Sequence, residues 1–124
     1  MKFSAEREHL LAALQSVIGV VERRQTMPIL ANLLLSAKQG KLSITATDLE
    51  VELVAQAEIK SSADGQITIP GRKFLDICRS LPDGVTLPVS QDGDKITVRG
   101  GRRRFVLATL PATDFPAIDE LAQQ

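Results

Sequence analysis

The chain has 124 residues, with fifteen Lys and Arg against fifteen Asp and Glu, four Phe, and no Tyr or Trp. That length fits one compact domain, and an apolar share of 44% with 24% charged residues argues against disorder. The scarcity of rings argues against a stacking platform for single-stranded nucleic acid, and the zero net charge against tight, charge-driven DNA binding by the isolated chain.

A single cysteine, Cys78, leaves no internal disulfide framework, and a single histidine, His9, no multi-histidine metal site. The opening MKFSAEREHL carries acids where a secretory signal needs an unbroken apolar core. Apolar runs all fall short of the roughly 18 residues of a membrane span. The composition therefore leads us to expect a reduced, cytoplasmic protein without cofactor, metal or membrane contact.

In chain order, Lys2 to Ala5 alternates as a short strand. From Glu6 the period changes, and Leu10, Leu11, Leu14, Val17 and Ile18 form one helical stripe that should end near Gly19. Ser4 and the acids Glu6 and Glu8 suit the N-terminus of that helix. A loop over 20–28 follows, and Pro28 imposes an extended approach. Residues 29–37 read as a mostly buried strand and 41–46 as an alternating one, with a turn at Lys38 to Gly40. In 49–59, Leu49, Val51, Leu53, Ala55 and Ala57 share one face, and Glu50, Glu52, Gln56 and Glu58 the other; Val54 breaks the pattern.

Ser61 to Gly65 reads as a polar turn, and Gln66 to Pro70 as a strand. Residues 71–81 return to helical spacing through Phe74, Leu75, Ile77, Cys78 and Leu81, ending at Pro82-Asp83-Gly84. Strands follow at 85–90, 95–99 and 103–109, with hairpin dipeptides at Asp92-Gly93 and Gly100-Gly101. The tail from Leu110 onward, with Pro111 and Pro116, reads as an extended linker.

Strand, helix and three strands thus occur twice. A shift of 64 superposes the first strand and helix: Phe3 on Ile67, Leu10 on Phe74, Leu14 on Cys78. A shift of 54 superposes the later strands: Leu42 on Ile96, Ile44 on Val98, Val51 on Phe105. The ten-residue difference lies in the loop that holds Arg23 and Arg24. The expected fold is α+β, with two βαβββ repeats (about 1–59 and 66–109) and two helices packed on antiparallel sheets.

The opening MKFSAEREHL, the run PILANLLLSAKQGKLSITATDLEVEL, the segment IPGRKFLDICRSLPDG and the stretch RRRFVLATLPATDFP together carry a resemblance. The chain resembles the N-terminal domain of the bacterial DNA polymerase III beta subunits, the replication sliding clamps. The resemblance implies the DNA-clamp fold and a non-enzymatic processivity factor. The family's full chains carry three such domains and close head to tail as dimers around duplex DNA, tethering the replicative polymerase. Residues 1–110 then correspond to the first domain and 111–124 to the connector into a second. The pocket for polymerase and clamp-loader peptides lies, in the family, in the later domains.

Charge is uneven along the chain. Residues 71–104 hold eight Lys or Arg against four acids, residues 1–70 seven against eight, and the tail adds three acids. Arg72 and Arg79 occupy the polar stripe of the second helix and Arg7 that of the first; by themselves they fit a solvated face equally well. The resemblance implies that clamp helices line the central hole, making Arg72, Arg79 and Arg7 phosphate neighbours. It implies the same for Arg24 in the ten-residue loop, with Gln25 assisting. For the last strand it implies a ring-closing interface with another subunit. There Lys73, Arg102 and Arg104 meet acids, and Phe105 and Leu107, flanked by Ile77 and Leu81, supply apolar contact.

Two other readings come from the residues alone. One is a stand-alone β-rich interaction module that binds partners by edge-strand addition. The other is a hydrolase using Asp48 and Glu52, although Asp48, Glu50 and Glu52 more simply form a solvated sheet face. His9 reads as a surface helix residue and Cys78 as a buried core thiol.

Overall fold

The computed structural model describes residues 1–21 and 27–116. Strand β1 (Lys2–Glu6) leads into helix α1 (Arg7–Val17) and a 3-10 turn at Ile18–Val20. A second 3-10 turn at Pro28–Ala31 precedes β2 (Asn32–Lys38), β3 (Lys41–Thr47) and β4 (Glu52–Glu58). Then come β5 (Lys60–Ala63), β6 (Gly65–Pro70), helix α2 (Gly71–Ser80), β7 (Thr86–Asp92), β8 (Lys95–Gly100) and β9 (Arg103–Ala108). A final 3-10 turn spans Ala112–Asp114. The architecture is α+β, two βαβββ units with the helices packed on antiparallel sheets.

The strands form a five-stranded sheet, β5-β1-β7-β8-β9, and a four-stranded sheet, β4-β3-β2-β6. All pairings are antiparallel, so the pleat sends alternate residues to opposite faces. Leu33 and Leu35 on β2, Leu42, Ile44 and Ala46 on β3, and Ile67 and Ile69 on β6 point inward from one sheet. Phe3, Ala5, Leu87, Val89, Ile96 and Val98 point inward from the other. Leu10, Ala13, Leu14 and Val17 of α1 and Phe74, Leu75, Ile77 and Cys78 of α2 complete a single core. Each fully buried Leu or Ile there contributes roughly 1.5–3 kcal/mol. The loops Gly93-Asp94 and Gly101-Arg102 join their strands in two residues, and the positive φ of Gly93 (61°) and Gly101 (59°) supplies the turn twist.

Four segments differ from the sequence expectation. Lys60–Ala63 is a strand paired with β1, where the sequence suggests a polar turn. Its pairing partner lies some sixty residues away, and its own composition gives no alternation. Residues 28–31 form a 3-10 turn, so β2 begins at Asn32; Pro28 presets the turn's φ. The strand expected from Leu49 begins at Glu52. Asp48 Oδ1 accepts the N–H groups of Glu50 (2.9 Å) and Val51 (2.8 Å), and Leu49 takes a φ of 80°. That side-chain turn consumes the donors a strand would use.

The fourth difference is in the tail. Leu110 exchanges both backbone hydrogen bonds with Thr68 on β6, and Phe115 is buried with Ile29 and Leu30 in a small second cluster. The residues directly after β9 are docked on the sheet rather than extended away from it. A buried polar chain fixes them: Asn32 Nδ2 donates to Thr68 Oγ1 (3.0 Å), which donates to the Leu110 carbonyl (2.8 Å).

The start of α1 is clasped from outside. Ser4, expected at the helix N-terminus, lies inside β1, and Glu6 caps without a side-chain hydrogen bond. Arg7 Nε donates to the Cys78 carbonyl (2.8 Å) and Nη1 to Asp83 (2.9 Å). Glu8 accepts the Gly84 N–H, which holds its carboxyl below the ordinary value of 4.5.

Two expectations follow. Thr68→Val keeps the shape but leaves Asn32 and the Leu110 carbonyl without their partner, and should lower the unfolding free energy by about 2 kcal/mol. Urea denaturation measures it, and wild-type stability in the variant would show that the chain of bonds is not structural. Because the folded-state pKa of Glu8 is depressed, its contribution is complete above pH 4.5 and drains away as pH falls below it. Glu8→Gln should therefore flatten the acid side of the stability profile; an unchanged acid limb would refute the clasp.

Candidate nucleic-acid and subunit interfaces

Helix α2 buries Phe74, Leu75, Ile77 and Cys78 and turns Lys73, Asp76 and Arg79 to solvent. Arg79 lies in its last turn, where a cation complements the helix dipole. Among the described residues, Arg79 and Lys73 enter no ion pair, so both charges are available to a partner.

Arg72 behaves differently. It is half-buried, and its Nη2 donates to the Val21 carbonyl, the last described residue before 22–26. Its Nε is buried without a hydrogen-bond partner. The side chain ties α2 to the start of the segment that contains Arg24 and Gln25. Those two candidate residues lie outside the described residues.

Arg7 does not stand on the open face expected of it. Its side chain is only 11% exposed, held by the Cys78 carbonyl and by Asp83. A guanidinium paired in this way is a strap between α1 and the turn after α2.

The second basic feature is β9, an edge strand of the five-stranded sheet. Arg104 and Val106 point outward, while Phe105 and Leu107 pair with Val98 and Ile96 on the core side. Arg104 sits directly opposite Arg99 on β8, and both are exposed. Like charges facing each other across a ladder are unfavourable. Arg103 Nη1 lies 3.5 Å from the Ser80 carbonyl, at the end of α2. Helix α2 and strand β9 thus present their basic side chains as neighbours.

Of the expected interface residues, Lys73, Arg102 and Arg104 are exposed and Phe105 is half-buried. Ile77, Leu81 and Leu107 are buried in the chain's own core. Their burial follows from the alternation that marks the apolar face, which here turns toward the core. Leu81 rests on Gly100, where an added Cβ would lie 2.6 Å from both of its methyl carbons. These three residues support the edge from beneath. The apolar side chain that β9 actually exposes is Val106, at 49%. Sequence reasoning passed over Val106, although its position two residues from Arg104 marks it as outward-facing.

The remaining candidates are quiet. Asp48 is held below the usual carboxylate range by the Val51 and Glu50 N–H groups, as the anchor of a turn. Among the described residues there is no cluster of three or more His, Cys, Asp or Glu suited to a metal. Burial pushes the Cys78 thiol up to about 12, which leaves it protonated and unreactive at neutral pH. His9 is exposed, 3.5 Å from Glu6. No helix among the described residues is long and apolar enough to cross a membrane.

The chain matches the family described as DNA polymerase III beta subunit, N-terminal domain, over residues 1–119. It is 54% identical over 121 residues to the beta sliding clamp of Vibrio cholerae, covering 97% of this chain and 33% of that protein. The Escherichia coli beta sliding clamp is 53% identical with the same coverage. A DnaN sliding clamp of Pseudomonas aeruginosa superposes with a TM-score of 0.92 at 50% identity, over 96% of this chain and 32% of that one. The chain therefore spans about a third of the length of these relatives.

The geometry separates the two arginines of α2. Arg72→Ala leaves the Val21 carbonyl without its donor and should cost about 1–2 kcal/mol of stability. Arg79→Ala, with no ion-pair partner among the described residues, should stay within about 0.5 kcal/mol of wild type. Equal unfolding midpoints for the two variants would contradict this division of roles.

Proposed function

As the chain belongs to the DNA polymerase III beta subunit family, we propose that it forms the first segment of a sliding clamp that encircles duplex DNA and tethers a polymerase. The agreement in fold over nearly the whole chain carries this reading. Residues 1–110 form the clamp domain, and 111–124 lead into a second domain. The role is mechanical and cytoplasmic, and it needs no catalytic group, cofactor or metal.

The charge pattern suits such a role. A closed ring retains DNA by topology, so individual phosphate contacts can be weak and independent of sequence, which leaves sliding unimpeded. Arg79 is the phosphate neighbour on α2, with Arg24 and Gln25 on the adjoining segment. Arg72 anchors the chain at Val21 through its carbonyl. Strand β9 forms the contact with a second subunit, head to tail. Lys73, Arg102 and Arg104 supply its charge, Phe105 and Val106 its apolar surface, and Ile77, Leu81 and Leu107 the packing underneath. Polymerase and clamp loader engage the full-length ring through a pocket in its later domains.

A chimera tests the reading directly. This chain replaces the N-terminal third of the Escherichia coli beta sliding clamp, and retention on nicked circular DNA is measured before and after linearisation. Retention on the circle and escape from the linear form are expected; a folded, dimeric chimera that never stays on circles would overturn the proposal. In the same ring, Arg24→Ala and Arg79→Ala should each lower the slope of log affinity against log salt by about one. Unchanged slopes would reject both phosphate assignments.

A further inference from the structure

On the outward face of the five-stranded sheet, over β5, β1, β7 and β8, lies a groove of about 650 Å³. Three cations, Lys2, Lys60 and Arg99, line it together with four serines, and no carboxylate does. The three cations are exposed and enter no ion pair among the described residues. The sheet is irregular here in two places. The β1–β5 register shifts between Lys2 and Phe3, a bulge of the kind that re-aims the side chains beside it. Pro88 lies in β7, an interior strand, and the β7–β8 ladder stops short of it at Val89 and Val98. None of the large apolar side chains exposed among the described residues lines the groove. It therefore offers charge and hydroxyls to a polar ligand and lacks the apolar centre that docks a folded protein.

We propose that this groove binds a compact polyphosphate anion, a di- or triphosphate group that concentrates several charges in a short span. Lys60 and Arg99 stand three strands apart, so their backbones are about 14 Å from each other. Ser4 pairs with both Lys60 and Pro88 and marks the middle of that gap. Two long cationic side chains bridge such a distance to a ligand longer than a single phosphate. Arg99 offers a planar fork to two oxygens, and the lysines offer compact charges. Ser61 and Ser62 spend their hydroxyl protons on Asp64 (3.2 Å) and the Lys2 carbonyl (3.3 Å), which leaves Ser4 and Ser90 as the hydroxyl donors. Glu6 and Glu58 line an adjoining hollow that shares Ser4 and Lys60 with the groove, so Lys2 and Arg99 carry the larger part of the attraction. The one ring among the lining residues, Phe3, is buried, so a base has nothing to stack on and recognition rests on the phosphates. An anion beside Arg99 also offsets its repulsion with Arg104 across the ladder.

Pyrophosphate, tripolyphosphate and ADP are titrated separately into this chain at physiological ionic strength, and its backbone amide signals are followed by NMR. Saturable shifts centred on Lys2, Ser4, Lys60, Ser90 and Arg99 are expected. Arg99→Gln should weaken the affinity about tenfold, and Lys60→Gln by less. Lys95→Gln removes the same charge from the same sheet outside the groove and should leave the affinity unchanged. Equal affinity for pyrophosphate and ADP would identify the phosphates alone as the ligand, and tighter binding of ADP a nucleotide as their source.

Shifts that never saturate, or that spread over the basic side chains of α2 and β9, would overturn the proposal. So would a loss on Lys95→Gln as large as on Arg99→Gln, since the attraction would then be diffuse. A short DNA duplex that moves the same amides at lower concentration than tripolyphosphate would also overturn it, making the groove a site for a nucleic-acid backbone. Each substitution changes an exposed side chain, and circular dichroism checks the fold. If Arg99→Gln unfolds the chain, Lys2→Gln replaces it with the same expected loss. Binding is measured on this chain alone, so its outcome and the chimera's retention on circular DNA stand or fall separately.

Discussion

Strand β1 is hydrogen-bonded into the sheet built by the second half of the chain, and β6 into the sheet built by the first. Neither half completes its own sheet, and the core between the sheets closes only when both strands have crossed. The crossing is repeated at the other end of each unit. Beyond β4 the chain passes Ile59 into β5, which pairs with β1; beyond β9 it reaches Leu110, which bridges Thr68 on β6. Separating the halves would break the β1–β7 and β2–β6 ladders at once, so the duplicated pattern yields one cooperative unit. The same exchange decides where the sheets end, with β5 and β9 at the edges of one and β4 and β6 at those of the other.

That closure governs where charge can sit. With both helices and both sheets giving their apolar faces to one core, charged groups are confined to the outer helix faces, the turns and the edges. The zero net charge is the sum of segments that differ in sign. The stretch 48–58 is acidic, and α2 together with β9 is basic. Arg99 opposite Arg104 shows that local repulsion is tolerated on the basic side. Proteins that break a local rule of this kind tend to do so where a partner supplies the compensation.

Periodicity made most of the fold legible. Both helices, the strands around residues 41–46, 66–70 and 95–99, and the hairpin glycines could be read from spacing, because each follows from residues close in sequence. Some of what escaped is local, the Asp48 turn and the 3-10 turn at Pro28, and the rest depends on distant partners. Lys60–Ala63 becomes a strand only because β1 offers an edge, and the docked turn near Phe115 depends on Ile29 and Leu30. Arg7 reads as an exposed cation until Asp83 and the Cys78 carbonyl arrive from seventy or more residues away. The candidate surfaces were legible as clusters of charge and less so as individual side chains. Arg72 turned out to tie α2 to the chain at Val21, and three of the expected interface apolar residues lie inside.

The buried positions of Ile77, Leu81 and Leu107 change what an interface on β9 can be. With them buried, the edge is presented ready-made. Gly100 admits Leu81 at a distance that any side chain there would contest, which brings the end of α2 down onto β8. Arg103 then reaches the Ser80 carbonyl from β9. Helix and strand meet there, and Lys73, Arg104 and Val106 stand on regular elements. A surface held on regular elements loses little conformational freedom on docking, which favours association through a small edge of modest apolar area.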